Sequence, residues 1–219
     1  MKKSRFGTRD KLIIFLVIVG AVFLALFIAH SIYMSGTRRG IAGIREPLQE
    51  TVNGGGMHRN ADGFETDITF KCYYDIEALV LSTHDYNGSE LSDKFAPVDA
   101  ALGWGKVAQY NDIIDFNWEQ SGRFCRCDPL SAADVKLLGS IEYVQEHFSN
   151  NHLIPAEKDV EKKIKKIRKG DHIRIRGYLV NVDGSSEDAS FHWHSSTSRS
   201  DTGNGACEII YVTNVDWIE

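Results

Sequence analysis

The densest collection of groups that could do chemistry lies at Ser195 to Glu208. This SSTSRSDTGNGACE stretch puts hydroxyls, one guanidinium, two carboxylates and two glycines into fourteen residues. Paired with Asp201 or Glu208, Arg199 would either clamp the loop or grip a ligand carboxylate or phosphate with its planar fork. The polar side chains would equally serve the loop's own backbone. Arg199, Asp201, Glu208 and His152 are therefore the candidate ligand-binding residues. His192 and His194, two apart on a strand-like run, point to one face and make half of a zinc site, with Trp193 facing the other way. His172, His152 or Cys207 would complete it.

Complete catalytic constellations are missing. Asp201, Thr202 and Gly203 spell the aspartic-protease triplet, but it occurs once, so a dimer would have to bring the second carboxylate. Ser195, Ser196 and Ser198 lack the G-x-S-x-G frame. Cys125 and Cys127 form a lone C-x-C without the second pair that makes a metal knuckle. With Cys72 and Cys207 they allow two disulfides in an oxidising compartment, in three connectivities. Residues i and i+2 on a strand are too far apart for Cys125 to bridge Cys127, so a bridge would join one of them to Cys72 or Cys207. No catalytic residue and no cofactor is expected.

The elements that must position these groups begin with an apolar run. Leu12 to Met34 holds no Lys, Arg, Asp or Glu, and about 20 apolar residues span a hydrocarbon core. A cleaved signal peptide shares its basic start, but signal cores run only ~7 to 15 residues. Residues 1–11, with Lys2, Lys3, Arg5, Arg9 and Lys11 against Asp10, read as a cytoplasmic tail, which sends the remainder outward. Residues 35–64, glycine-rich at 54–56, read as a tether and entry segment. Residues 65–219 read as one extracytoplasmic domain. After residue 39 the chain holds 18 Lys/Arg and 29 Asp/Glu, a balance that repels nucleic acid and anionic lipid.

Within the domain, TDITFKCYYDIEALVLSTHDY is dense in β-branched and aromatic residues and reads as two strands or one bent one. Pro97 opens a short helix ended by Gly103 and Gly105. Ser131 and Asp134 resemble a capping box. After Pro155, Val160, Ile164 and Ile167 line one side of a lysine-clothed helix stopped by Gly170. DHIRIRGYLVNVDG is a strand in which Gly177 marks a bulge, a bend or a close backbone approach. ASFHWHSS and ACEIIYVTNVDWI add two more. The fold class expected is α+β, mainly antiparallel, with one or two helices; the strand-rich ends suggest a small OB-like barrel.

Four stretches then look familiar together: ALGWG at 101–105, SNNHLIPA at 149–156, KGDHIRIRGYLV at 169–180 and SSTSRSDTGNGACEIIYV at 195–212. The chain resembles a family of uncharacterised bacterial single-pass membrane-anchored proteins that share this order of motifs. The resemblance implies an inner-membrane setting and draws attention to His152, Gly177, Arg199, Asp201, Gly203, Gly205, Cys207 and Glu208. It departs at Cys125 and Cys127, where the family has aromatic residues, and at His192 and His194, which the family does not fix. The expectation is a membrane-anchored periplasmic binding or scaffold domain whose partner is an envelope protein or cell-wall component. The alternative is an envelope hydrolase, with or without a metal, using His152, His192 or His194 with Asp201 or Glu208.

Overall fold

The computed structural model describes residues 7–36, 39–61, 63–88, 90–201 and 205–219. Lys2, Lys3, Arg5, Thr202 and Gly203 lie outside the described residues. The chain divides into two units, the second running from Arg39 to Glu219. In the first, Thr8–Gly36 is one helix (α1), since the run offers no proline and no polar stripe to interrupt it. It is long and apolar enough to cross a membrane, a property shared by signal sequences near an N-terminus.

The second unit starts inside the stretch read as tether. Leu48–Thr51 (β1) and Gly56–Ala61 (β2) both pair antiparallel with Phe64–Asp85 (β3), the longest strand. Where the sequence suggests a helix after Pro97, the chain instead makes a short helix before it, Leu91–Phe95 (α2), then the strand Val98–Gly103 (β4), then Gly105–Gln109 (α3). Pro97 bars Ala96 from helical backbone, and Val98 to Gly103 is buried on both faces, so no alternation advertised it as a strand. Glu119–Ser121 (β5) and Phe124–Arg126 (β6) form a hairpin. Ala132–Leu138 (α4) starts on the expected Ser131 capping box and stops at Gly139, and Ile141–Glu146 (α5) follows.

Phe148–Pro155 (β7) leads into Lys158–Ile164 (α6), which is shorter than its lysine-rich pattern suggested. Val160, Ile164 and Ile167 are all buried, each such side chain contributing roughly 1.5–3 kcal/mol. His172–Ser185 (β8), Ser190–His194 (β9) and Glu208–Trp217 (β10) complete the chain. Gly177 makes a close backbone approach: a Cβ there would run into the Tyr211 carbonyl oxygen.

The fold is α+β with a mainly antiparallel sheet. Its order is β1-β3-β4-β7-β10-β8-β9, with β2 on β3, and an additional β3–β8 pairing returns the path β3-β4-β7-β10-β8 to its start. Among these pairs only β7 and β10 run parallel. Alternation then sorts the buried side chains to two sides. Tyr74, Ile76, Leu102, Leu153, Ile210 and Val212 belong to one cluster, and Ile68, Phe95, Ile154, Val182, Ile209 and Tyr211 to the other.

Candidate functional site

Strand register creates the most concentrated polar site. Asp99 on β4 and His152 on β7 are paired partners, so their side chains share a face, and His152 Nδ1 lies 2.8 Å from Asp99 Oδ1. The same Oδ1 accepts from Arg123 Nη1 at 2.8 Å, while Oδ2 accepts from the Tyr86 hydroxyl at 3.0 Å. Arg123 Nη2 reaches Asp93 at 2.6 Å and the Ala96 carbonyl at 3.0 Å. Its guanidinium lies 3.8 Å from the Tyr86 ring centroid and 5.2 Å from that of Trp193.

Arg123 reaches this position from the tip of the β5–β6 hairpin. Gly122 and Arg123 both have positive φ, 57° and 66°, as a two-residue turn matched to strand twist requires. Arginine tolerates that backbone poorly, and three main-chain contacts hold it. Its N–H donates to the Tyr86 hydroxyl at 3.1 Å, and its carbonyl accepts from Asn150 at 2.8 Å and from the Cys207 thiol at 3.7 Å. Burial and the Asp99 charge push the Tyr86 hydroxyl above its usual range, so it stays a donor.

Beside this cluster opens a cavity of about 480 Å³ lined by Arg123, Phe124, His152, Trp193 and Cys207, with His192, His194 and Gly205 also on its walls. Trp193 stacks obliquely on His152 with centroids 4.8 Å apart. Asp99 is an acceptor for three donors, so in the neutral imidazole of His152 the proton sits on Nδ1 and the lone pair on Nε2. Among the described residues Nε2 has no protein partner. Burial pushes the Cys207 thiol up to about 11, so at neutral pH it is not a thiolate nucleophile.

The residues singled out in the sequence fall into four groups. His152 and Cys207 come together at the cavity. Arg199 and Glu208 meet on the opposite side of the sheet, where Arg199 bonds the Glu208 carboxylate and donates to the Tyr74 hydroxyl at 2.9 Å. The guanidinium also lies 5.3 and 5.4 Å from the ring centroids of Tyr74 and Trp104. Glu208 is 2% exposed. Burial, against the pull of Arg199, raises its carboxyl to about 7, and among the described residues Oε2 has no hydrogen-bond partner. Asp201 accepts from the Ser196 hydroxyl at 2.6 Å, holding the loop to itself.

His192 and His194 do share a face, but their companion is Asp183, whose Oδ1 lies 2.7 Å from each ring. Of the residues offered to complete that set, His172 bonds Glu77 and His152 bonds Asp99. The four cysteines are free thiols. Sequence reasoning missed Asp99, Arg123, Tyr86 and Asp183. The only local signal was the Ser121-Gly122 turn dipeptide, which places Arg123 at a hairpin tip. In comparison with known proteins, no family model, no curated protein and no solved structure matches this chain.

Proposed function

We propose that this chain is a bacterial, single-pass inner-membrane protein whose periplasmic domain binds a cell-wall glycan without covalent chemistry. The basic segment before α1 favours a cytoplasmic N-terminus, and the acidic domain disfavours nucleic acid. The carrying observation is the cavity itself. Phe124 and Trp193 offer aromatic surface for sugar faces, and beside them His152 Nε2 is an uncommitted polar atom.

The pairing ring supports reading the domain as a small barrel of the OB type. Its strands, counted along the chain, neighbour one another in the order 1-2-3-5-4-1, with the third and fifth parallel. OB-type domains bind oligosaccharides over their middle strands and neighbouring loops. The cavity stands over the third strand, β7, and against the connection that carries β9.

The test is titration of the full-length chain in detergent micelles with a cell-wall tetrasaccharide, read by tryptophan fluorescence. Saturable binding is expected, weakened at least tenfold in Phe124→Ala, whose half-exposed side chain leaves the fold intact. No saturable change, or equal binding by the variant, would overturn the reading. The Asp99–His152 pair favours a second one, an envelope hydrolase in which Nε2 takes a proton from water. In that case the same tetrasaccharide would be cleaved, and His152→Asn would abolish cleavage while binding persisted.

A further inference from the structure

Four strands carry a row of matched polar residues on one level of the sheet. His58 on β2 is paired in register with Asp67 on β3, Asp67 with Asp183 on β8, and Asp183 with His192 on β9. Register partners share a face, so the row reads His, Asp, Asp, His, with two carboxylates adjacent at its centre. His194, two residues beyond His192, adds a third imidazole. His58 spans Asp67 at 3.0 Å and Glu65 at 2.5 Å, and His192 Nδ1 and His194 Nε2 converge on one oxygen of Asp183.

Like charges directly opposite one another cost stability. A cation placed among the imidazoles would offset that cost. Consistently, hydrogen bonds to Asp67 and then Glu65 raise His58.

We propose that Asp183, His192 and His194 form a binding site for a divalent transition-metal ion of the zinc class. One ligand atom from each lies within 4.8 Å of the others. Two imidazole nitrogens and one carboxylate oxygen are the donor set of an open zinc site, with a fourth position left to water or ligand. Magnesium and calcium prefer all-oxygen shells. Ligands about 2.0 Å from a tetrahedral ion sit about 3.3 Å from one another, so the two 2.7 Å contacts must widen slightly and the wider separation, within 4.8 Å, must close. The histidine side chains are 64% and 52% exposed, which leaves their rings free to make that adjustment. Asp67, across β8, is the next carboxylate in line. Metal and proton compete for the same nitrogens, so affinity falls with acid. The site needs neither Phe124 nor His152, and stands whether or not the cavity binds a glycan.

The test uses the untagged full-length chain in detergent micelles, stripped of metal by a chelator that is then dialysed away. It is titrated with zinc against a chromophoric competitor at pH 7.5. One equivalent is expected, released on acidification to pH 5.5. His192→Asn, His194→Asn and Asp183→Asn should each weaken binding at least tenfold while leaving the metal-free circular dichroism spectrum unchanged. A Cys125→Ser, Cys127→Ser, Cys207→Ser triple variant should keep the equivalent. Undiminished binding in the histidine variants, or its loss in the cysteine variant, would overturn the proposal.

Discussion

Replacing Arg199 by alanine should destabilise the Arg39–Glu219 unit by an amount that depends on pH, because it strands Glu208. In the wild type the Glu208 carboxyl is raised from its ordinary 4.5 to about 7. As pH rises, the unfolded chain therefore gives up this proton first. The group subtracts stability progressively from pH 4.5 to about 7, by roughly 3 kcal/mol in all at about 1.4 per unit. Without the guanidinium the folded carboxyl holds its proton still higher, so at pH 8 the variant loses roughly 1 kcal/mol beyond the wild type's own loss. At pH 5 the carboxyl stays protonated in either folded protein and this extra loss disappears. Added to it is the pH-independent loss of the bonds to Tyr74 and Glu208 and of contact with the Trp104 ring. Breaking a buried pair costs ~3–5 kcal/mol, which is the expectation at pH 8, falling to ~2–4 at pH 5. Urea unfolding of the unit followed by tryptophan fluorescence reads this as a midpoint lowered by roughly 1.5–2.5 M at pH 8. Asp201→Ala, which removes an exposed carboxylate and its bond from the Ser196 hydroxyl, should cost under ~1 kcal/mol. Equal losses at the two pH values, or a loss below ~1 kcal/mol for Arg199→Ala, would refute the clasp and its buried carboxyl.

Arg123→Ala leaves the Asp93 and Asp99 side chains, 4% and 0% exposed, without their shared cation. It should cost ~3–5 kcal/mol in the same urea assay, and Arg123→Lys should recover little, because one ammonium cannot reproduce a planar fork spanning two carboxylates. A loss below ~1 kcal/mol for Arg123→Ala would refute that account. Gly177→Ala forces a methyl into the Tyr211 carbonyl; a cost of ~3 kcal/mol or more is expected, and a midpoint within 0.3 M of wild type, roughly ~0.6 kcal/mol, would mean that β8 and β10 are less closely apposed.

What could be read from the chain followed how far each signal had to travel. The apolar α1, the capping box of α4 and the apolar stripe of α6 are written in neighbouring residues, and alternation alone put His192 and His194 on one face with Trp193 opposite. Gly177 could be recognised as special within its own strand, though only the partner strand shows that Tyr211 is the reason. β4 was misread because VDAALG is buried on both faces and its alanines and leucine lack the β-branched signature of a strand. β7 hid behind polarity: Ser149, Asn150, Asn151 and His152 look like a loop, yet all four are buried because each has a partner across the sheet or in the hairpin. Asp99, Asp183 and Arg123 stayed hidden for a related reason. Asp99 meets His152, and Asp183 meets His192, only through register between strands, and Arg123 acts through a hairpin folding back over residues 24 and 30 positions away. Each of those side chains looks like an ordinary surface charge in its local sequence. Register also decides what the loop Ser195 to Glu208 is for. By setting Glu208 opposite Asn151, it turns the carboxylate inward to Arg199 and Tyr74 and leaves Cys207 and His152 on the cavity side. Arg199, Asp201 and Glu208 thus bond to Tyr74 and to partners within their own segment, while the cavity is lined by residues scattered along the chain.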